Sequence, residues 1–209
     1  MKKFDWFKIT AHFFSLVFHP VFIPLYTVIL YFYLSPRFFV QQNIKFLILY
    51  LSTVSIIIPL LFFAVLLRSK AIAIQIEKPR ERFFLSVIMT VVYIIVVKKI
   101  VHFHQYIELF PFFTGVLLSI AVLAIFNYFY KKPSIHAAAM SGAITFFLIW
   151  SYYSQINILS FLSLFILSAA IVIASRLYLK MHTSSEIICG LTVGILMQII
   201  AFYLILQLY

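Results

Sequence analysis

Residues 186–208 read EIICGLTVGILMQIIAFYLILQL, an apolar run of 23 residues with one charged residue, at its start. A hydrocarbon core about 30 Å thick is crossed by about 20 helical residues, so this run is long enough to span a bilayer as a helix. Six apolar stretches precede it, at about 9–33, 45–67, 83–101, 109–130, 135–152 and 157–175. The sequence therefore predicts an all-α, polytopic transmembrane helix bundle of about six or seven spans.

The composition is that of a membrane protein. Hydrophobic residues make up 65% of the 209-residue chain and charged residues 10%, whereas a soluble domain is about half apolar and a quarter charged. The spans would use nearly all of residues 1–209 as a single integral-membrane domain. The net charge of +11 does not indicate nucleic acid, because the basic residues collect between the apolar runs, where anionic lipid head groups or phosphates would meet them. We expect a multi-pass protein of a bacterial cytoplasmic (inner) membrane.

The candidate metal ligands are few. His102 and His104 in KKIVHFHQ have no third ligand near them, and no HExxH cluster occurs, so a solvated loop is the preferred interpretation of this pair. The single cysteine, Cys189, lies in an apolar run and is interpreted as a small core residue. We therefore expect no metal and no cofactor.

His19 precedes Pro20 inside the first apolar run. Proline removes a helix hydrogen bond, so we expect a kink or a partly re-entrant start at this point. For His19 itself, a helix-end histidine bonded to a carbonyl is the preferred interpretation over a substrate role.

Three polar clusters separate the apolar runs: EKPRER at 77–82, KKPSIH at 131–136 and SRLYLKMHTSSE at 175–186. Two predicted spans lie between the first and second clusters, and two more lie between the second and third. An even number of crossings returns the chain to the same side of the membrane. We therefore predict that all three clusters face one surface and converge on a phosphate-sized pocket.

The third cluster has the composition of a nucleophilic site. His182 and Glu186 are four residues apart, hence on one face of a helix. A carboxylate so placed can accept one imidazole N–H and raise the basicity of the other nitrogen, which suits a histidine nucleophile. His136 could protonate a leaving oxygen. The candidate phosphate-binding residues are Arg176, Ser175, Lys132, Ser134, Lys78, Arg80 and Arg82.

The three clusters resemble the motifs of the type 2 phosphatidic acid phosphatase superfamily, the integral-membrane lipid phosphate phosphatases. The family's third motif, SRxxxxxHxxxD, is similar to SRLYLKMHTSSE, with Glu186 in place of the aspartate. The second motif, PSGH, is similar to PSIH at 133–136. The first, KxxxxxxRP, loosely resembles KPRER at 78–82, with a different spacing and without the Arg-Pro pair.

The resemblance implies a six-helix-type bundle and metal-independent hydrolysis of a lipid phosphate or diphosphate ester through a phosphohistidine. It implies that His182 is the nucleophile, that Glu186 orients it and that His136 is the general acid. Arg176, Lys132, Ser134 and Arg82 would bind the phosphate. Phosphatidate, phosphatidylglycerol phosphate and polyprenyl diphosphate are open as substrates. A lipid phosphotransferase, and a non-enzymatic lipid-binding or scaffold protein of the same fold, are alternatives.

Overall fold

The computed structural model describes residues 5–35, 41–68, 78–101, 108–129 and 132–206, which are almost entirely helical. The helices in these ranges are α1 (Trp6–Val17), α2 (Ile23–Leu34), α3 (Gln41–Ser52), α4 (Ile58–Arg68), α5 (Pro79–Val101), α6 (Leu109–Tyr128), α7 (Ile135–Ser154), α8 (Leu159–Tyr178) and α9 (Ser184–Leu206). His102 and His104 lie outside the described residues.

Five helical segments are long and apolar enough to cross a membrane: Ile44–Leu61, Leu109–Tyr128, Ile135–Ser154, Leu159–Tyr178 and Ser184–Ile205. They coincide with five of the seven predicted spans. A sixth prediction, at 83–101, corresponds to the 23-residue helix α5. The predicted all-helical membrane bundle is thereby confirmed.

The first predicted span, at 9–33, is two short helices instead of one. Helix α1 ends at Val17 and α2 begins at Ile23, so the predicted interruption at His19-Pro20 is present. The Asp5 side chain caps α1 by accepting a hydrogen bond from the backbone N–H of Lys8 at 3.1 Å. Because α1 also packs against α8, the break between α1 and α2 lies beside the third polar cluster.

Helices α3 and α4 belong to one helical segment and are joined by a π-helical turn at Thr53–Ile57. Pro59 explains the turn: it has no N–H to donate to the carbonyl of Ser55, and its ring would collide with that carbonyl in a regular α-helix. The wider π turn accommodates the proline without ending the helix.

Helices α7 and α9 approach each other closely through small residues. A Cβ atom on Gly190 would collide with the carbonyl oxygen of Ser134, and Gly194 packs just as closely against α7. The facing stretch of α7 is AAAMSGA at 137–143, a composition that lets membrane helices pack backbone to backbone. As a result, the starts of α7 and α9 lie side by side, and the N–H of Ser134 donates to the carbonyl of Glu186 at 2.9 Å.

The opposite end of the bundle is closed by aromatic side chains around one carboxylate. Glu108, immediately before α6, accepts hydrogen bonds from the Tyr31 hydroxyl and from the Trp150 indole N–H, both at 2.9 Å. Phe112 and Phe146 pack in the core beside this cluster. The polar clusters and this aromatic end are therefore separated by the length of the helices.

Candidate active site

A cavity of about 530 Å³ lies among the helices and reaches the end that carries the polar clusters. Its basic and imidazole side chains are His19, Arg82, Lys132, His136, Arg176, Lys180 and His182. Each of the three predicted clusters contributes at least one of them, so the predicted convergence on one pocket is observed. No carboxylate is found among the lining residues in the described ranges, which makes this end of the cavity suited to an anion.

His182 and Glu186 form a hydrogen-bonded pair at the start of α9. Oε2 of Glu186 lies 3.2 Å from Nδ1 of His182 and also accepts the backbone N–H of Thr183 at 2.9 Å. Because a carboxylate only accepts, Nδ1 carries the proton and Nε2 keeps its lone pair. Burial lowers the pKa of His182 below its usual 6.5, and Arg176 lowers it further, although Glu186 acts in the opposite direction. The imidazole is therefore neutral at pH 7, the form that a nucleophile requires.

His136, in the first turn of α7, is buried, and its hydrogen-bond partner lies on another helix. Its Nε2 lies 3.2 Å from the backbone carbonyl oxygen of Ser15 in α1. A carbonyl only accepts, so here the proton lies on Nε2 and Nδ1 is the second nitrogen. The two histidines of the site thus have opposite tautomers, each selected by a fixed acceptor.

Arg176, at the end of α8, is bonded to the same residue of α1. Its Nη1 donates to the Ser15 hydroxyl at 3.0 Å. Its buried Nε has no hydrogen-bond partner among the residues that the structure describes. A buried guanidinium N–H without an acceptor costs free energy, and a phosphate oxygen in the cavity would supply the missing acceptor.

Four predicted phosphate ligands are not brought to the cavity. Lys78 and Arg80 are exposed, and Lys78 lies 3.9 Å from the carboxylate of Glu81. Arg80 precedes Arg82 by two residues, about 200° around the helix axis, so only one of the two can face the site. The other two residues, Ser134 and Ser175, use their hydroxyls to bond to backbone groups. The Ser134 hydroxyl caps α7, and the Ser175 hydroxyl donates to the carbonyl of Ile171 at 2.7 Å.

Comparison with protein-family models matches residues 18–208 to the PAP2 superfamily. The chain belongs to the PAP2 superfamily. This confirms the suspected relationship to type 2 phosphatidic acid phosphatases, and members of the superfamily are generally phosphatases. The matched range contains all three polar clusters but begins after α1. Neither the curated proteins nor the solved structures include a match to the chain.

In this PAP2 protein, α1 and the α1–α2 break contribute site residues that lie outside the three sequence motifs. Ser15 contacts both His136 and Arg176, yet a single serine in an apolar run gives no sequence signal for such contacts. His19 lines the cavity, whereas the preferred interpretation was a helix-end residue. In the sequence, the only sign that His19 could reach the cavity is its neighbour Pro20, which interrupts the helix.

The rest of the PAP2 cavity is mainly apolar. Leu85, Met89 and Tyr93 line it from α5 at intervals of four residues, and Val116 and Ile120 do so from α6. Eight residues of helix rise about 12 Å, so the apolar part continues about that far along α5 from the level of Leu85. A phosphate at the cationic end could therefore be joined to a hydrocarbon chain inside the bundle.

Within the described ranges of this PAP2 chain, no group of three or more His, Cys, Asp or Glu side chains could hold a metal ion. The histidines of the cavity share its lining with two arginines and two lysines instead. Such a donor set stabilises phosphate oxygens directly, as cations and N–H groups do in phosphoryl-transfer sites.

Proposed function

We propose that the protein is an integral-membrane lipid phosphate phosphatase that works through a phosphohistidine on His182. The observation that carries this proposal is that His182, which is hydrogen-bonded to Glu186, lines one cavity together with Arg176, Lys132 and Arg82. The pair presents a neutral imidazole with a free lone pair, and the cations stabilise the negative charge that develops on the phosphoryl oxygens.

In the first step, Nε2 of His182 attacks phosphorus while the bond between phosphorus and the lipid oxygen breaks. Glu186 stabilises the positive charge that develops on the imidazole. His136 gives a proton to the departing oxygen and releases the lipid alcohol. The negative charge of the bound phosphate, close to His136, stabilises the imidazolium that this donation requires.

In the second step, water attacks the phosphohistidine. The phosphorus–nitrogen bond breaks and its electron pair returns to Nε2 of His182. His136, now neutral, accepts a proton from the attacking water and is ready for the next turnover. Inorganic phosphate leaves, so the net reaction consumes one water and yields a lipid alcohol and phosphate.

A lipid substrate is supported by the apolar part of the cavity. Leu85 and Met89 on α5 and Val116 and Ile120 on α6 offer no hydrogen bonds to a sugar or a nucleotide. They can bury a hydrocarbon chain, at about 0.8 kcal/mol per methylene group removed from water. Phosphatidate, phosphatidylglycerol phosphate and polyprenyl diphosphate all combine a phosphate with such a chain.

The test is phosphate release by the purified protein from those three lipids and from glycerol phosphate as a water-soluble control, each with and without EDTA. We expect at least one lipid to be hydrolysed much faster than glycerol phosphate, with no effect of EDTA. An activity lost on chelation and restored by a divalent cation would count against the phosphohistidine mechanism.

Two outcomes would replace the proposal. Transfer of the phosphoryl group to an added alcohol, without release of phosphate, would favour a lipid phosphotransferase. Binding of lipid phosphates without turnover, in well-folded protein, would favour a non-enzymatic lipid-binding or scaffold protein.

A further inference from the structure

His19 lies at the break between α1 and α2. Its backbone N–H donates to the carbonyl of Leu16 at 3.1 Å, and its own carbonyl accepts from Phe22 at 2.8 Å. Pro20 cannot continue the hydrogen-bond pattern of α1, so the chain turns here. The turn directs His19 towards the interior, and its side chain lines the same cavity as His136 and Arg176.

The imidazole of His19 packs edge to face against that of His136, with ring centroids 5.3 Å apart and ring planes at 84°. A second contact selects its tautomer. The N–H of Val21 donates to Nδ1 of His19 at 3.4 Å, so a neutral His19 has its proton on Nε2. Among the residues that the structure describes, Nε2 has no hydrogen-bond partner.

The surroundings keep His19 neutral. Burial lowers its pKa, and the positive charge of Arg176 lowers it further. A neutral imidazole whose Nε2–H meets no acceptor in the described ranges is a hydrogen-bond donor without an assigned function. A helix-end histidine bonded to a carbonyl, the preferred sequence interpretation, would instead use that N–H within its own turn.

We propose that His19 is a further phosphate-binding residue, whose Nε2–H donates to an oxygen of the phosphoryl group that His182 receives. This inference rests on the proposed phosphatase function and adds a residue outside the three polar clusters. Together, Arg176 and His19 would contact the phosphoryl group from α8 and from the α1–α2 turn. A donor fixed in place before the reaction stabilises a developing charge without reorganisation.

The experiment compares His19→Ala, His19→Gln and His19→Asn with the parent, using the lipid that the parent hydrolyses. The glutamine amide nitrogen reaches about the position of Nε2, whereas that of asparagine reaches only the position of Nδ1. We therefore expect kcat/KM to fall by about tenfold to a hundredfold in the Ala and Asn variants. His19→Gln should recover much of the loss. His12→Ala, an exposed position on α1, is the matched control and should be unchanged.

A second measurement separates this inference from the phosphatase proposal. The affinity for orthovanadate, measured by the shift in melting temperature, requires no turnover. Weaker vanadate binding in His19→Ala and recovery in His19→Gln would support the inference even if no lipid is hydrolysed. Parent-like kcat/KM and vanadate affinity in His19→Ala would overturn it, as would equal losses in the Gln and Asn variants. Absence of both turnover and vanadate binding in the parent would overturn both proposals.

Discussion

The two ends of the bundle each contain a carboxylate that accepts hydrogen bonds, but the donors and the surroundings of the two carboxylates differ. At the aromatic end, Glu108 accepts from the neutral donors of Tyr31 and Trp150. At the other end, Glu186 accepts from His182 and from a backbone N–H, beside several cations. Hydrogen bonds between buried side chains stabilise a fold, whereas a buried N–H beside a cavity that has no acceptor among the described residues, such as Nε of Arg176, favours a ligand there.

The largest effect should come from His182→Ala, which removes the only side chain proposed to bond to phosphorus. We expect turnover of the preferred lipid phosphate to fall by at least about a thousandfold, with an unchanged melting temperature and gel-filtration profile. Steady-state phosphate release measures the loss. Parent-like turnover in folded His182→Ala would reduce this end of the bundle to a structural cluster like the other one.

Glu186→Gln and Glu108→Gln form a direct comparison of the two ends. At Glu186, the amide can still hold the imidazole but cannot stabilise its positive charge, so we expect about a tenfold to a thousandfold loss of kcat. At Glu108, two charge-assisted hydrogen bonds weaken, so we expect nearly normal kcat and a melting temperature lower by roughly 4–8 °C. A large loss of kcat in Glu108→Gln, with normal kcat and a lowered melting temperature in Glu186→Gln, would contradict the roles assigned to the two ends.

Arg176→Lys tests whether the guanidinium acts through its geometry or only through its charge. Lysine keeps the charge but cannot bond to Ser15 and to a phosphate oxygen in the same way. We expect kcat/KM to fall by about tenfold to a hundredfold. Arg80→Lys, at an exposed position of α5, is the control and should match the parent. Equal kinetics in both variants would show that charge alone suffices.

The smallest effect concerns stability and pH. The pKa of His182 is lowered in the folded protein, so below about pH 6.5 the unfolded chain binds a proton that the folded protein does not. Stability should therefore fall as the pH falls from about 7.5 to 5.5. Over this pH range, the melting temperature of His182→Gln should fall by about 2 °C less than that of the parent. An identical decline in parent and variant would show that His182 does not contribute.

The long helices could be predicted because an apolar run of about 20 residues has few solutions in lipid other than a spanning helix. The pairing of His182 with Glu186 also follows from local spacing, since residues four apart share a helix face. The convergence of the clusters at one end could be predicted from the number of membrane crossings between them. These features depend on residues that are near in sequence or on the order of the spans.

The contributions of α1 could not be predicted, because they depend on long-range packing. Ser15 contacts residues 121 and 161 positions away, and nothing local marks it. Ser134 and Ser175 were predicted as phosphate ligands, but serine hydroxyls also bond to nearby backbone groups, and both do so here. Lys78 and Arg80 were grouped with Arg82 by charge, but Lys78 precedes the first residue of α5, and Arg80, two residues from Arg82, lies on a different side of the helix.

Trapping the covalent intermediate tests the central claim most directly. The purified protein is mixed with a lipid phosphate labelled on the phosphoryl group, quenched in alkali within one turnover, and analysed by peptide mass spectrometry. The proposed mechanism predicts an alkali-stable, acid-labile phosphoryl group on His182, absent from His182→Ala. Rapid turnover with no phosphoryl group on the protein, or with the group on another residue, would contradict it.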